Sequence, residues 1–274
     1  MTDVVIRSGV VVRQVEGFRP QCVDLYMPAD GAQAVCVYLH GGGWRVGSRR
    51  AGPGPLSPTS GRLFERMAAQ GLAVVSADYR LSGEARFPAQ LDDVLATFRW
   101  LRDDCADVAG LPLVVFGVSA GGHLAALASL ASLASLDGSV AVRAAALWYA
   151  VTDLLAMPED LAAAGVVLED REASREARLL GAPAADVPQL ARAASPVMQV
   201  RAGAPPFLLL HGDADRAVPF SQSQRLHDAL LSAHNSSTLE TVAGYDHMFR
   251  AMPDADVEAL VDRTCAFLLS ASVQ

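Results

Sequence analysis

Short apolar runs alternate along the chain with longer segments whose apolar residues recur every three or four positions. The first pattern is typical of buried strands, and the second of helices with one buried face. The predicted strands cover residues 10–15, 23–27, 35–39, 72–77, 113–117, 142–149, 206–210 and 238–242. The predicted helices cover residues 62–70, 88–102 and 254–269, with a further helix directly after Ser119. This order predicts an α/β fold in which helices flank a mostly parallel central sheet.

The helix after Ser119 has a pattern of its own, because leucine occupies every third position with alanine and serine between. These leucines are Leu124, Leu127, Leu130, Leu133 and Leu136. A spacing of three drifts around a helix of about 3.6 residues per turn, so apolar side chains cover most of its surface. We therefore expect this helix to be buried nearly all round.

Two segments show neither pattern. Residues 50–61 are rich in glycine, proline and serine, which predicts a loop. Residues 154–194 favour helix by composition but are interrupted by prolines and glycines, which indicates an insertion over the edge of the sheet. This insertion either covers a pocket as a small lid or is only a long connection between two strands.

Composition and charge narrow the function classes. The chain has 274 residues, of which 51% are hydrophobic, and it carries a net charge of −8. Its basic residues occur singly or in short pairs, so no basic stripe is present to follow a nucleic-acid backbone. The sequence begins without the pattern of a secretory signal, and no apolar run reaches the roughly 18 residues of a membrane span. We expect a cytoplasmic protein with no nucleic-acid or membrane partner.

The cysteines give no sign of a metal or disulfide framework. They are Cys22, Cys36, Cys105 and Cys265. They are far apart in sequence, with no C-x-x-C pair and no histidine and cysteine cluster at metal-ligand spacing. Free buried thiols are therefore expected, with no metal and no cofactor.

One serine stands between glycines, in the stretch FGVSAGGHLA, where a predicted strand meets the leucine-rich helix. In this G-x-S-x-G pattern the glycines allow a sharp turn that exposes the hydroxyl of Ser119 as a nucleophile. The pattern alone is equally typical of a tight strand-to-helix turn whose glycines only permit close packing. The assignment of Ser119 as nucleophile therefore depends on the rest of the chain.

Acyl transfer by a serine also needs hydrogen-bond donors for the oxyanion. The stretch HGGGW follows the predicted strand at residues 35–39, and its glycines let backbone N–H groups approach a substrate oxygen. The N–H of Ala120, at the start of the helix, is expected to point into the same site. Gly42, Gly43 and Ala120 are therefore the predicted oxyanion donors, although HGGG alone is also compatible with a flexible loop.

An acid and a base follow later strands. The stretch HGDADRAVP comes after the predicted strand at residues 206–210 and offers Asp213 and Asp215. Asp215 lies further into the loop and is the predicted acid, whereas Asp213 is expected to tie the turn. His247 follows the last predicted strand and is the predicted base. The chain order Ser119, Asp215, His247 is that of an α/β-hydrolase.

Some residues near these motifs have two possible roles. Trp44 either lines the substrate pocket, which is the role we predict, or lies in the core. The arginines after HGGG either meet an acidic group of the substrate or form a solvated surface; they are Arg45, Arg49 and Arg50. His123 and His211 are expected to be structural.

These stretches resemble the α/β-hydrolase superfamily, and within it the esterases and lipases with an HGGG motif related to hormone-sensitive lipase. HGGGW, SAGGHLA and HGDADRAVP are especially similar to the feruloyl and acetyl-xylan esterase-like branch, the BD-FAE type. The phrases VDLYMP, ADYRLSGEARFPAQLDDVLATFRWLR and ARAASPVMQV extend the similarity over about residues 23–267. The resemblance implies one α/β-hydrolase domain over residues 1–274, with residues 154–194 as a lid-like insertion.

Two positions depart from related groups. Gly43 stands where kynurenine formamidases typically carry an aromatic residue, which favours an ester over an arylformamide as substrate. Gly83 stands where relatives of hormone-sensitive lipase commonly have proline. Neither departure touches the predicted triad.

The predicted activity is hydrolysis of carboxylic esters with small or compact acyl groups, through an acyl-enzyme on Ser119. The same triad also fits a biosynthetic acyltransferase, lactonase or cyclase, and an arylformamidase. A ligand receptor on a hydrolase fold is a third alternative, although such receptors usually lose the base and His247 is present. The expected partner is a small-molecule ester, and the protein is expected to be a monomer or a homodimer.

Overall fold

Eight strands form one sheet through the protein. The computed structural model describes residues 3–54, 60–132, 141–167 and 170–272. The strands are β1 Val4–Arg13, β2 Gln21–Pro28, β3 Ala34–Leu39, β4 Leu72–Ala77, β5 Leu113–Val118, β6 Val142–Trp148, β7 Phe207–Gly212 and β8 Ser237–Val242. Their order across the sheet is β1-β2-β4-β3-β5-β6-β7-β8. Among these pairings, β2 is antiparallel to β1 and to β4, and the other five pairs are parallel. This confirms the predicted mostly parallel sheet.

Helices cover both faces of the sheet. They are α1 Ser60–Ala69, α2 Ala89–Asp103, α3 Ala120–Ser132, α4 Met157–Ala163, α5 Arg175–Leu180, α6 Pro188–Ala193, α7 Ser221–Ser232 and α8 Asp254–Ser272. The apolar sides of α1 and α8 pack on one face, and those of α2, α3 and α7 on the other. Every residue of β3, β4, β5 and β7 is buried, which explains their continuous apolar runs. Within the described ranges, no helix is both long and apolar enough to cross a bilayer.

The leucine-rich helix is buried as its spacing predicted. Nearly every residue of α3 is shielded from solvent, and the helix contacts β5, β6 and α2. Its predicted continuation through Leu133 and Leu136 lies outside the described residues.

The first strand begins earlier than predicted. β1 starts at Val4 and pairs with β2 along its length, with a shift of register between Arg7 and Val10. It is an edge strand, and Val5 and Val11 are 54% and 53% exposed. Because neither face of this strand is well buried, its sequence lacks the apolar signal that marks the central strands.

The first helix also begins earlier than predicted. α1 starts at Ser60, inside the segment at residues 50–61 that we predicted as a loop. Serine and glycine are weak helix formers, so the prediction followed their intrinsic preference, whereas packing on β4 and α8 extends the helix through them. The part of the predicted loop at residues 55–59 lies outside the described residues.

The insertion at residues 154–194 contains the short helices α4, α5 and α6, and two of them are tied to the body of the protein. On α4, Asp160 forms an ion pair with Arg225 of α7 at 2.9 Å. On α5, the carbonyl of Leu179 accepts the N–H of Phe87 at 2.9 Å. The insertion is therefore attached along its length as well as at its ends.

The carboxyl ends of β3 and β5 lie side by side where the strand order reverses. The chain leaves β3 toward β4 on one side and leaves β5 toward β6 on the other, which opens a crevice between the two ends. The start of α3 packs tightly against the end of β3, and a Cβ on Gly121 would overlap the carbonyl oxygens of Leu39 and His40. This contact places the HGGG loop beside the turn that carries the serine.

We expect Gly121→Ala to destabilise the protein by about 3 kcal/mol or more, because the added methyl group must displace the backbone of β3. For a chain of this size, that corresponds to a fall in melting temperature of about 6–12 °C. Gly83→Ala is the matched control, since a Cβ on Gly83 meets nothing within 4 Å. Thermal unfolding followed by circular dichroism measures both variants. Equal melting temperatures would contradict the close approach of α3 to β3.

Candidate active site

Ser119 lies at the tip of a sharp turn between β5 and α3. Its φ is 52°, a left-handed value that costs a non-glycine residue of order 1–3 kcal/mol. Its N–H donates to the carbonyl of Trp148 at 2.9 Å, and its carbonyl accepts the N–H of His123 at 3.0 Å. A Cβ on Gly117 would overlap the backbone of Gly121, so the glycines of the motif are required by close packing across the turn.

His247 connects this serine to a carboxylate. The hydroxyl of Ser119 donates to Nε2 of His247 at 3.0 Å, and Nδ1 of His247 donates to Oδ2 of Asp215 at 2.7 Å. All three residues are buried: Ser119 is 5% exposed, His247 7% and Asp215 4%. They follow β5, β8 and β7, whose carboxyl ends meet at one edge of the sheet. The structure therefore brings together the predicted nucleophile, base and acid in an arrangement suited to proton transfer.

Four donors surround the carboxylate of Asp215. Its Oδ1 accepts the N–H groups of Ala217 at 2.9 Å and Val218 at 2.8 Å. Its Oδ2 accepts from His247 and lies 3.3 Å from Nε2 of His211. Burial favours a higher pKa for Asp215, but the hydrogen bonds from His211 and His247 outweigh it and hold this pKa well below its ordinary range. The carboxylate is therefore ionised and fixes the orientation of the His247 ring.

His211 and Asp213 have the structural positions that the sequence predicted. Nδ1 of His211 accepts from the hydroxyl of Ser223 at 2.6 Å, and its Nε2 donates to the carbonyl of Val218 at 2.8 Å. Oδ1 of Asp213 accepts the N–H of Gly244 at 2.6 Å. Asp213 thus links the loop after β7 to the loop that carries His247. Among the described residues, its side chain forms no hydrogen bond with Ser119, His247 or Asp215.

The predicted oxyanion donors lie on both sides of the serine. Gly42 and Gly43 follow β3 with φ values of 112° and 60°, and both line the same cavity as Ser119. Ala120 is the first residue of α3, where backbone N–H groups have no partner within the helix. The N–H groups of these three residues donate to no other residue that the structure describes. They remain the predicted oxyanion donors.

The hydroxyl of Ser119 opens into a cavity of about 530 Å³. This volume lies within the range of about 300–1,000 Å³ that is usual for small-molecule sites. Glycines of the HGGG loop and of residues 47–54 form much of its lining, and its apolar side chains include Val46, Val118 and Met248. Among the described residues, no group of three or more histidine, cysteine or carboxylate side chains is placed to hold a metal ion.

Trp44 was predicted to line the substrate pocket, but it lies in the core and is not among the residues that line this cavity. Its side chain is 1% exposed, and its indole N–H donates to Nδ1 of His123 at 3.2 Å. Nε2 of His123 in turn donates to the carbonyl of Ala194, just beyond α6, at 2.6 Å. The chain bends at Trp44, where φ is 56°, and the indole packs against α3. The prediction that His123 is structural agrees with these contacts.

Tyr149 lines the cavity and was not identified from the sequence. Its ring meets the imidazole of His247 edge-on, with ring centroids 4.9 Å apart. Its φ of 40° is left-handed, at the point where the chain leaves β6. The local sequence contains no motif for this residue. The available signal was its position at the carboxyl end of the strand next to β5.

The three arginines after the HGGG motif have different surroundings. Arg49 forms ion pairs with Asp24 at 2.8 Å and Asp78 at 2.7 Å, so its role is structural. Arg50 is exposed. Arg45 lines the cavity that contains the serine. Only Arg45 of these three is therefore placed to meet a bound molecule.

Comparison with known proteins gives one family match over most of the chain. The sequence model of the BD-FAE family matches residues 23–230. Esterase LipQ from Mycobacterium tuberculosis is 34% identical over 229 residues, which cover 79% of this chain and 51% of LipQ. The chain thus spans about half the length of this curated relative.

Two solved structures share the fold. A truncated form of a carbohydrate esterase from gut microbiota has a TM-score of 0.82 and 23% sequence identity, covering 98% of this chain and 97% of that chain. Thermogutta terrifontis esterase 2 phosphonylated by sarin has a TM-score of 0.74 and 25% identity, covering 98% of this chain and 94% of that chain. These likenesses confirm the predicted fold class, with its mostly parallel sheet and flanking helices.

Two buried histidines next to the site are held in the neutral form. Burial lowers the pKa of His40, at the start of the HGGG loop, to about 4. Burial likewise lowers the pKa of His123 to about 4. The ordinary value of 6.5 applies in the unfolded chain, so the unfolded chain binds more protons than the folded protein as the pH falls below it.

We therefore expect the free energy of unfolding to fall between pH 6.5 and pH 4, by about 2–3 kcal/mol for each of these two histidines. Urea unfolding at several pH values measures this slope. His123→Gln removes one of the two groups and is expected to flatten the slope, even though it lowers stability at neutral pH. His234→Gln, at an exposed turn, is the control. A slope that His123→Gln leaves unchanged would contradict the assignment.

Proposed function

The chain belongs to the BD-FAE family of α/β-hydrolases, and from this premise we propose that it is a serine esterase for carboxylic esters with small or compact acyl groups. The observation that carries the proposal is the hydrogen-bonded chain from Ser119 through His247 to Asp215 at a cavity of small-molecule size. The names of the matched proteins support it, because LipQ and both solved structures are esterases. The chain spans about half of LipQ, so the activity of the whole protein is part of this proposal.

In the first step, Oγ of Ser119 attacks the ester carbonyl while Nε2 of His247 takes the hydroxyl proton. The ionised carboxylate of Asp215 stabilises the imidazolium that forms. Negative charge develops on the former carbonyl oxygen, which accepts hydrogen bonds from backbone N–H groups of the HGGG loop and of Ala120. One such donor typically contributes about 2.7–4 kcal/mol to the stabilisation of the transition state.

The tetrahedral intermediate then collapses, and the proton on Nε2 of His247 passes to the departing alcohol. The acyl group remains bound to Ser119 as an ester. A water molecule next loses a proton to Nε2 of His247 and attacks this acyl-enzyme. Collapse of the second intermediate releases the carboxylic acid and returns the proton to Oγ of Ser119.

We further propose that residues 154–194 form a fixed side of the cleft in one hydrolase domain. Movement of the insertion as a lid would break the ion pair between Asp160 and Arg225 and the backbone bond from Phe87 to Leu179. Leu161 and Leu179, which lie in the insertion, are also buried in the main core. Opening it would expose this apolar surface to water.

The proposal is tested with 4-nitrophenyl esters from acetate to decanoate. We expect turnover of the short esters, with kcat/KM falling by about tenfold or more from butyrate to decanoate if the substrates carry small or compact acyl groups, as proposed. Ser119→Ala is expected to lower kcat by roughly 10⁴-fold or more. A folded wild-type protein that cleaves no ester in the series would contradict the proposal and favour an arylformamidase or a biosynthetic acyl enzyme.

The assignment of Asp215 as the acid is tested by replacing Asp215 and Asp213, in the loop after β7, with asparagine one at a time. Asp215→Asn is expected to lower kcat by about 10³–10⁴-fold, because the amide no longer fixes the His247 tautomer. Asp213→Asn is the matched control and is expected to lose less than about tenfold, since Asp213 only ties two loops together. Equal losses in kcat, measured with the best short ester, would show that Asp215 is not the acid of the triad.

A further inference from the structure

Three arginines line the cavity that contains the serine hydroxyl. They are Arg45, Arg175 and Arg250. The residues that line this cavity, as far as the structure describes them, include no aspartate or glutamate. None of the three arginines forms an ion pair or side-chain hydrogen bond with another residue of the described ranges. The cavity therefore carries an excess of positive charge.

This excess contrasts with the net negative charge of the whole chain. The chain has 30 acidic and 22 basic residues, and several of its arginines pair with carboxylates. Arg49 pairs with Asp78 at 2.7 Å and Arg80 with Asp93 at 2.8 Å. The arginines of the active-site cavity are left without such partners in a chain whose net charge is −8.

A neighbouring cavity has a smaller excess of positive charge. It has a volume of about 650 Å³ and shares Arg45 with the active-site cavity. Arginines also line it, but so do Glu172 and Asp186. The excess of positive charge is therefore larger in the cavity that opens on Ser119 than in this neighbour.

Arg175 lies directly against the HGGG loop. It is the first residue of α5 in the insertion. A Cβ built on Gly43 would lie 2.6 Å from Cδ and 3.2 Å from Cγ of Arg175. The aliphatic part of the side chain thus packs against the Cα of Gly43, and Arg175 also lines the cavity.

A guanidinium group in this position is suited to one class of ligand. It is charged at every accessible pH and offers several N–H donors in a plane, which match the two oxygens of a carboxylate. Charge-assisted hydrogen bonds of this kind are stronger than neutral ones. A neutral acyl chain gains nothing from such a group.

We propose that Arg175 is a substrate-binding residue that selects esters carrying a carboxylate close to the scissile bond. The inference rests on the proposed esterase function and specifies its substrate class. Arg45 and Arg250 strengthen the positive field of the cavity, and Arg175 makes the direct contact. The carboxylate belongs either to the acyl part or to the alcohol part of the ester, and the test separates these two cases.

Two matched pairs of esters test the proposal. For the acyl part, the pair is the mono-4-nitrophenyl ester of glutaric acid and its analogue with a primary carboxamide in place of the free carboxylate. For the alcohol part, the pair is 4-acetoxybenzoate and 4-acetoxybenzamide. The quantity measured is the ratio of kcat/KM for the charged ester to kcat/KM for the neutral ester in each pair. This ratio cancels any general effect of a variant on the catalytic groups.

In the wild type, we expect the ratio to exceed one in at least one pair, and that pair identifies the position of the carboxylate. Arg175→Gln is expected to lower this ratio about tenfold, mainly through KM, whereas Arg175→Lys retains part of the preference. Arg192→Gln is the matched control, because Arg192 is exposed in the same insertion and lines neither cavity. The preference is also expected to weaken as salt is raised.

Two results would overturn the inference and leave the esterase function intact. One is a ratio of one or less in both pairs for the wild type. The other is an equal loss of kcat/KM for charged and neutral esters in Arg175→Gln, which would show that Arg175 only supports Gly43. Failure of the wild type to cleave any of the four esters or the short 4-nitrophenyl series would overturn the proposed function, and the inference with it.

Discussion

The geometry of the candidate site depends on one close contact between backbones. The start of α3 approaches the end of β3 so closely that a side chain at Gly121 would overlap the carbonyl oxygens of Leu39 and His40. This contact sets the distance between the turn of Ser119 and the HGGG loop. The proposed nucleophile and the proposed oxyanion donors come from two segments of chain, and main-chain packing holds these two segments together. Preorganisation of this kind lowers the cost of reorganisation during the reaction.

Sequence patterns predicted the central strands because helices cover both faces of the sheet and leave continuous apolar runs. They predicted β1 poorly, because a strand at the exposed edge of the sheet lacks a clear apolar pattern. They also predicted the start of α1 poorly, because packing of this helix on its neighbours overrides the weak helix preference of Ser60. The triad residues stood at strand ends with distinctive neighbours, so their placement could be predicted. Tyr149 and Arg175 occur in stretches without any motif, and only the folded arrangement places them at the cavity.

Polar contacts connect the oxyanion loop to distant parts of the chain. The indole N–H of Trp44 donates a hydrogen bond to His123 on α3, and His123 donates one to the carbonyl of Ala194 at the end of the insertion. A second set surrounds Asp215, whose oxygens receive two backbone N–H groups and lie within reach of two imidazoles. Both sets are buried. The first set depends on His123, whose pKa burial lowers to about 4, so the contacts of the oxyanion loop depend on the protonation of a residue that takes no part in the proposed chemistry.

The residue proposed to select the substrate and the residues proposed to cleave it lie in different segments of the chain. It is attached to the body through Asp160, Leu179 and Ala194, while Arg175 on the six-residue helix α5 reaches the cavity. The groups that form the triad and the oxyanion loop lie elsewhere in the chain. With the role proposed for Arg175, a substitution in α5 changes which esters are accepted while Ser119, His247 and Asp215 keep their positions. The insertion is then a segment in which the selectivity of the protein is adjusted separately from its proposed triad.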